Sequence, residues 1–181
     1  LATLANGKII IKNILKSGDT YSTINACKNF GAEIKDVGND ITVNSTGELK
    51  LHSNTIDAAN SGTTIRIATA ISTLSSDKIV LTGDSSLKKR PMQPLLDALE
   101  SLDAKCSSSN GNPPISISGK IKGGEVEISG SVSSQFISAL MITAPKLEKG
   151  LILNIQNKLV SKPYIDATIA AMKKFGAEVE I

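Results

Sequence analysis

Four short clusters of polar residues stand directly ahead of stretches with helical periodicity. They are "NSGTTIR" (60–66), "KKRP" (88–91), "SVSSQ" (131–135) and "SKPY" (161–164). The first turn of a helix has backbone N–H groups without intrahelical partners, and the helix dipole adds partial positive charge there. Hydroxyl, amide and guanidinium donors beside such a turn suit a phosphate or a carboxylate. The four clusters together therefore predict a site for anionic ligands.

Each cluster also has a purely structural explanation. A glycine-containing turn capped by Ser61 or Thr63 would account for the first, one capping serine for the third, and Ser161 would be an ordinary N-cap in the fourth. A solvated basic turn would account for 88–91. Three consecutive cations ahead of a helix oppose its dipole, however, and a bound anion would offset that cost. Arg90 is the best candidate of the three because its planar fork matches phosphate and carboxylate oxygens.

The sequence offers few groups for covalent or acid–base catalysis. It has no Ser–His–Asp candidate, no His/Cys spacing typical of a metal site, no Walker loop and no GxGxxG motif. The acids do not pair, because Asp97 and Glu100 belong to the exposed side of a predicted helix, and Asp19 and Asp84 to turns. The sequence thus indicates binding chemistry and contains no convincing general acid or base.

The composition describes a globular chain with an aliphatic core. Hydrophobic residues make up 40% of the 181, charged residues 20% and aromatic residues 3%. The net charge of +3 is not gathered into a basic stripe, and stacking platforms are scarce, which argues against nucleic-acid binding. No apolar run approaches the roughly 20 residues that span a bilayer. Cys27 and Cys106 are expected to be reduced structural residues, which suits a cytoplasmic protein, and the lone His52 to be solvated or hydrogen-bonded.

Three similar segments follow one another along the chain. Each begins with a β-type run, passes through a polar turn into a helical stretch, and closes on "FGAEI" (30–34), "LDAKC" (102–106) or "FGAEV" (175–179). The closing blocks lie 72 and 73 residues apart. This spacing predicts a single domain, 1–181, built from three repeats of about 72 residues. The opening "LATLANG" resembles the last turn of a helix ending at Gly7, so the first repeat is expected to be incomplete.

Helices and short strands alternate in the predicted order, which indicates an α/β or α+β fold. Helices are predicted at 63–73, at 91–102 with Pro91 in the first turn, at 134–143, and after Ser161. The stretch "SSSNGNPP" (107–114) is expected to be a loop. The predicted strands are "GKIIIKN", "DITVN", "ELKLHS", "DKIVLTGD", "PISISG", "EVEISG" and "GLILNIQ".

The same polar clusters, read with their flanks, resemble a known family. "NSGTTIR", "LTGDSSLKKRPMQPLLDAL", "GSVSSQFISALMITAP" and "LVSKPYIDATIAAMKKFG" are similar to the signature blocks of the 5-enolpyruvylshikimate-3-phosphate (EPSP) synthases, in the family's order and spacing. The resemblance implies two domains, each an inside-out α/β barrel of three βαβαββ units, with the active site between them. It also implies transfer of the enolpyruvyl group of phosphoenolpyruvate to the 5-hydroxyl of shikimate 3-phosphate with release of phosphate, a step of aromatic amino-acid biosynthesis. No metal or organic cofactor is implied.

The resemblance assigns roles to matched positions only. Ser133, Ser134 and Ser161 would hold shikimate 3-phosphate, Tyr164 would support its pocket, and Gln135 would lie between the two substrates. The phosphoenolpyruvate site would include Gln135, Gly62 through its backbone, and Arg90, which would also stabilise developing charge. Asn60, Thr63 and Arg66 would shape the first loop. No catalytic acid or base is assigned with certainty.

The chain departs from the family pattern in what it lacks. The family's N-terminal lysine–serine–arginine stretch and its second domain, with further acids and cations, are absent. We therefore expect most of the N-terminal, shikimate-3-phosphate-binding domain, monomeric, cytoplasmic, without nucleic-acid or membrane partners and inactive alone. Two alternatives stay open: a UDP-N-acetylglucosamine enolpyruvyl transferase, whose loop cysteine neither Cys27 nor Cys106 matches, and a non-catalytic phosphosugar-binding module.

Overall fold

The computed structural model describes residues 1–181 and contains nine strands and five α-helices. The strands are β1 (Asn6–Ile11), β2 (Glu33–Val37), β3 (Asp40–Thr46), β4 (Thr55–Asp57), β5 (Ile79–Thr82), β6 (Lys105–Ser109), β7 (Asn112–Ser118), β8 (Gly124–Ser129) and β9 (Leu151–Gln156). The helices are α1 (Gly18–Asn29), α2 (Gly62–Ser72), α3 (Gln93–Glu100), α4 (Ser134–Thr143) and α5 (Lys162–Lys174), with single 3₁₀ turns at Leu87–Lys89 and Ala144–Lys146. None of the five helices has the length together with the apolar composition that a membrane crossing requires.

The strand pairing recurs along the chain. The first sheet has the order β1-β3-β2 and is antiparallel, and the second has the order β4-β5-β7-β6. In both sheets a hairpin, β2–β3 or β6–β7, pairs antiparallel with the strand that precedes the helix, β1 or β5. Two parallel pairs, β4–β5 and β8–β9, are each connected through a helix, α2 or α4. The α/β class expected from the sequence is confirmed.

Helices α2 and α4 pack against each other in the interior, and most residues of both are buried. Serine and threonine hydroxyls can be buried there because they donate hydrogen bonds to backbone carbonyls of their own helix. Thr69 Oγ1, for example, donates to Ile65 O at 2.7 Å. The predicted bounds 134–143 are confirmed for α4, and α2 begins one residue before its predicted start. Packing on all sides fixes the N-terminal ends of these helices, at Gly62 and Ser134, relative to each other.

Helix α3 turns its leucines inward but begins later than predicted. It spans Gln93–Glu100, whereas Pro91 was expected in its first turn. Arg90 has an extended backbone, with φ −86° and ψ 127°, because a following proline disfavours the helical region. Met92 occupies the N-cap position, and Pro94 takes the place in the first turn. Arg90 therefore belongs to an extended loop segment ahead of the helix.

The strand expected at 48–53 is absent. Lys50 N donates to Phe30 O at 3.0 Å and His52 N donates to Asn29 O at 2.9 Å. The backbone of this segment is thus bonded to the end of α1 instead of to a neighbouring strand. The strand of this region is β4, which begins at Thr55.

The stretch 107–114, expected to be a loop, is a hairpin. Strands β6 and β7 enter it from both sides and leave only Asn110 and Gly111 between them. Both residues have positive φ, 53° and 77°, as a two-residue hairpin turn that matches the strand twist requires. An Asn-Gly pair between β-type runs is the sequence signal for this turn.

The first and last segments also differ from the prediction. Ala5 N donates to Leu1 O at 3.0 Å in a single helical turn, but β1 begins at Asn6, so Gly7 belongs to a strand and does not end a helix. The closing block 175–179 follows α5 without forming a strand, unlike its two counterparts, which lead into β2 and β6.

Candidate functional site

The loops that carry the first two polar clusters lie side by side, because they leave the carboxyl ends of the parallel strands β4 and β5. Ala58 N donates to Thr82 O at 2.9 Å, and Asp84 N donates to Ala59 O at 2.7 Å. These backbone bonds hold the segment that leads to Arg90 against the segment that leads into α2.

Two guanidinium groups meet at the N-terminal end of α2. A Cβ added to Gly62, the first helical residue, would lie 2.5 Å from Arg90 Nη1 and 3.4 Å from Arg66 Nη1. Neither arginine forms an ion pair, since the two ion pairs of the chain lie elsewhere. Burial, and secondly the positive charge of Arg90, lower the pKa of Arg66. Two cations without a counter-ion, beside the free N–H groups of a helix start, can bind an anion.

Ser61 fixes the start of α2 through a short chain of hydroxyls. Its Oγ accepts from Thr64 N at 3.3 Å and from Thr64 Oγ1 at 2.9 Å. Thr64 Oγ1 lies 2.7 Å from Thr23 Oγ1 of α1. Of the two caps considered for this helix, Ser61 is the one that forms, which leaves the side chain of Thr63 free for another contact. The participation of Thr23 was missed, because nothing local in its sequence indicates a contact 41 residues away.

Gln135 joins the third cluster to the first. Its Nε2 donates to Thr63 Oγ1 at 3.1 Å, and its Oε1 accepts from Arg66 Nη1. The guanidinium of Arg66 lies over the ring of Phe136, 5.0 Å from its centroid. Phe136 was also missed as part of the site, although its position directly after Gln135 in a chain with three Phe residues is a usable signal. The starts of α2 and α4 therefore form one polar site.

The loops of the third and fourth clusters are also neighbours. They leave the carboxyl ends of the parallel pair β8–β9, where Gly130 N donates to Gln156 O at 2.8 Å and Val160 N donates to Gly130 O at 2.9 Å. Ser161 stands at the N-cap position of α5 in the left-handed conformation, φ 57° and ψ 39°, and its side chain caps nothing. The ordinary N-cap considered for Ser161 is therefore wrong, and its hydroxyl is free to contact a ligand.

The other candidates divide into buried and exposed groups. Ser133 caps α4, its Oγ accepting from Gln135 N at 3.2 Å, so the third cluster includes a structural serine. Ser134 follows as the first helical residue and is buried. Asn60 is exposed, and Tyr164, in the first turn of α5, is 71% exposed.

Groups that could supply other chemistry lie away from this site. No three His, Cys, Asp or Glu side chains are arranged to hold a metal ion. Both cysteines are free and half-buried; Cys106 Sγ donates to Leu96 O at 3.9 Å. Burial first, and then the carboxylates of Glu100 and Asp97, raise the pKa of Cys106 to about 12. This thiol is therefore protonated and unreactive at neutral pH.

Comparison with known proteins agrees with the fold and with the family that the sequence resembles. The family model for EPSP synthase (3-phosphoshikimate 1-carboxyvinyltransferase) matches residues 1–181. A 3-phosphoshikimate 1-carboxyvinyltransferase of Nitrosopumilus maritimus is 55% identical over 180 residues, which are 99% of this chain and 43% of the relative. The enzyme of that name from Methanosarcina mazei is 48% identical over 182 residues, 99% of this chain and 42% of the relative.

Solved structures show the same architecture. An EPSP synthase from Acinetobacter baumannii superposes with a TM-score of 0.85 at 25% identity, covering 98% of this chain and 40% of that one. The enolpyruvyl transferase NikO from Streptomyces tendae shares the fold, with a TM-score of 0.67 at 10% identity over 99% of this chain and 42% of that one. The chain thus spans about two fifths of the length of these relatives. The match of the family model over all 181 residues shows that the chain belongs to the EPSP synthase family.

Proposed function

We propose that this chain is the shikimate-3-phosphate-binding domain of an enzyme that transfers the enolpyruvyl group of phosphoenolpyruvate to the 5-hydroxyl of shikimate 3-phosphate. The observation that carries the proposal is the meeting of Gly62, Arg66, Arg90 and Gln135 at the starts of two packed helices, with no carboxylate to neutralise the arginines. Membership of the EPSP synthase family supports the identity of the anions.

Shikimate 3-phosphate would bind at the carboxyl ends of β8 and β9. Ser133, Ser134 and Ser161 would supply hydroxyls, and α4 its free N–H groups and its dipole, so that the phosphate is held largely by neutral donors. The free hydroxyl of Ser161 and the adjacency of its loop to Gly130 support this assignment. Tyr164, exposed in the first turn of α5, would cover the ring of the substrate.

Phosphoenolpyruvate would bind at the carboxyl ends of β4 and β5. The backbone at Gly62 and the guanidinium of Arg90 would hold its anionic groups, with Arg66 at the edge and Gln135 between the two substrates. The substrate 5-hydroxyl forms the new C–O bond to the enolpyruvyl carbon, and the tetrahedral intermediate then breaks its C–O bond to phosphate. Charge grows on the departing phosphate, where Arg90 would stabilise it.

The proton transfers of this reaction need groups that this site does not offer. The nearby carboxylates are committed to turns: Asp57 Oδ1 accepts from Ala59 N and Asp84 Oδ1 accepts from Leu87 N, both at 2.8 Å. We therefore propose that the acids come from a second domain, and that the isolated chain does not turn over. A steady-state assay of phosphate release by the isolated chain tests this, and enzyme-like rates would contradict it.

The proposal extends to the organisation and location of the protein. The three repeats of about 72 residues would form one domain, 1–181, facing the second domain across the active site. Two free cysteines suit a reducing, cytoplasmic compartment, and the mild net charge suits small anions better than nucleic acid or membrane surfaces. We expect a monomer, with the two substrates and the second domain as partners and no cofactor.

A heteronuclear NMR titration of this chain with shikimate 3-phosphate, with plain shikimate as the control, tests the substrate assignment. We expect saturable shifts at Ser133, Ser134, Gln135 and Ser161 with the phosphorylated ligand alone. A well-folded sample that shows no such shifts, or equal shifts with both ligands, would contradict the proposed phosphate site.

A further inference from the structure

We propose that Thr63 and Arg66 are positioning residues that hold the carboxamide of Gln135 in one orientation, so that Gln135 offers an N–H, and not its carbonyl oxygen, to a bound ligand. The inference rests on the proposed function for the identity of that ligand. The orientation itself follows from contacts within the chain, between residues of α2 and α4 that are 69 and 72 positions apart.

The donors and acceptors around Gln135 allow one orientation only. Arg66 is a donor without acceptor capacity, so the group that faces Arg66 Nη1 must be the oxygen Oε1. The nitrogen Nε2 then faces Thr63 Oγ1, which accepts from it at 3.1 Å. Rotating the carboxamide by half a turn would place its N–H groups against the guanidinium and lose the hydrogen bond from Arg66, even though the Thr63 hydroxyl can donate as well as accept. Nε2 has two N–H groups, and one of them is left for a ligand.

Arg66 is held in this position by contacts that do not neutralise its charge. Its guanidinium lies over Phe136, its Nε is buried without a hydrogen-bond partner, and no carboxylate is within ion-pair distance. An arginine that served stability alone would be expected to pair with a carboxylate when it is partly buried. Its hydrogen bond to the neutral oxygen of Gln135 therefore indicates a role in arranging the site.

A fixed N–H between two anion subsites has a consequence for specificity. It can donate to an oxygen of either anion, whereas a free carboxamide could turn its oxygen toward them and repel them. Gln135→Glu should keep the contact with Arg66 but replace the donor with a negative charge. We expect this variant to bind shikimate 3-phosphate at least about 10-fold more weakly, as the loss of a hydrogen bond to a charged group implies.

The orientation can be measured without any ligand, from the side-chain amide signals of Gln135 in the ¹⁵N spectrum of the 181-residue chain. In the native chain we expect one Nε2 proton to exchange slowly with water. Thr63→Val removes the acceptor at nearly constant volume and should abolish that protection, and Thr63→Ser should restore it. Thr63 is exposed, so the fold is expected to survive, and Thr63→Ala repeats the test if Val disturbs the backbone spectrum.

The same variants are then titrated with shikimate 3-phosphate. We expect Thr63→Val to weaken binding roughly 2- to 12-fold, as the loss of one neutral hydrogen bond implies, with recovery in Thr63→Ser. Unchanged protection of Gln135 in both Thr63→Val and Thr63→Ala would overturn the inference, whatever the affinity. A native chain with a protected amide and no affinity would instead contradict the proposed function and leave the orientation of Gln135 supported.

Discussion

Replacing Gly62 by alanine should weaken binding of phosphoenolpyruvate without weakening the fold. The added Cβ would lie 2.5 Å from Arg90 Nη1, whereas ordinary van der Waals contact begins at 3.4 Å, so the guanidinium must retreat by about 1 Å. Arg90 is exposed and flexible, which makes the retreat inexpensive for the protein. A hydrogen bond of ordinary length to a ligand oxygen would be stretched beyond about 3.2 Å by that movement, and thus lost.

The size of the effect follows from the charge of the donor. Hydrogen bonds to charged groups contribute about 1.5–3 kcal/mol, so the dissociation constant should rise roughly 10- to 150-fold. The free energy of unfolding should instead rise, because alanine is a better helix former than glycine by up to about 1 kcal/mol. For a chain of this size the melting temperature should stay constant or rise by up to about 4 °C.

The assay is an NMR titration with phosphoenolpyruvate in the presence of shikimate 3-phosphate, run as a double-mutant cycle. If Gly62→Ala weakens binding by displacing Arg90, the same substitution should reduce the affinity for phosphoenolpyruvate only slightly in an Arg90→Met background. Lys88→Gln serves as a control for loss of charge, since Lys88 lies in the preceding 3₁₀ turn. An unchanged affinity for phosphoenolpyruvate in Gly62→Ala, or an equal loss of affinity with and without the guanidinium of Arg90, would refute this role of Gly62.

Three further predictions concern stability. Ser133→Ala should cost about 1 kcal/mol through loss of the α4 cap, seen as a fall in melting temperature that Ser131→Ala, outside the helix, does not cause. Ser161→Gly should stabilise the chain by about 1 kcal/mol, since the left-handed conformation costs glycine nothing, while affinity for shikimate 3-phosphate falls; loss of stability would contradict this. Because burial raises the pKa of Cys106 from the ordinary 9.0 to about 12, the unfolded chain loses this thiol proton first. The free energy of unfolding should therefore fall between those pH values, and the slope should be shallower in Cys106→Ala, as denaturant titrations would show.

The parts of the fold that sequence patterns predict well are those in which local and tertiary preferences agree. The bounds of α4 follow from a capping serine and an apolar run, and the same run is what the interior requires. The start of α3 is harder to predict, because Pro91 and Pro94 would each fit the first turn of a helix. The stretch 48–53 has the composition of a strand, but strand formation needs a partner, and the end of α1 supplies its hydrogen bonds instead.

The candidate site was predictable as a set of donors but not as an arrangement. Each helix start could be located from its own residues, and the anion chemistry follows from their types. The contacts that join the starts, such as Arg66 with Gln135, depend on the packing of α2 against α4 and leave no local trace in the sequence. The left-handed backbone of Ser161 is likewise imposed by its loop, since the residue type alone favours an ordinary cap.

The two proposed subsites use one backbone arrangement with different side chains. Ser61 and Ser133, 72 residues apart, both cap the helix that follows the first strand of a parallel pair. In both pairs the residue that follows the first strand, Ala58 or Gly130, donates its N–H to the carbonyl of the last residue of the second strand. The repeat therefore places two helix starts, with the same free N–H groups, at the same end of the molecule.

What differs between the two helix starts is the residue after each cap and the loop opposite it. Gly62 leaves space that the guanidinium of Arg90 occupies, whereas the equivalent position in α4 is Ser134, which adds a hydroxyl. The loop that leads to α4 is bonded through Gly130 to Val160, next to Ser161. A subsite with cationic side chains stabilises negative charge that develops during a reaction. A subsite with neutral donors suits a phosphate group that takes no part in the reaction. The proposed difference between a subsite for the reacting anion and a subsite for the anion that stays bound unchanged can therefore arise from a few substitutions within one repeated backbone.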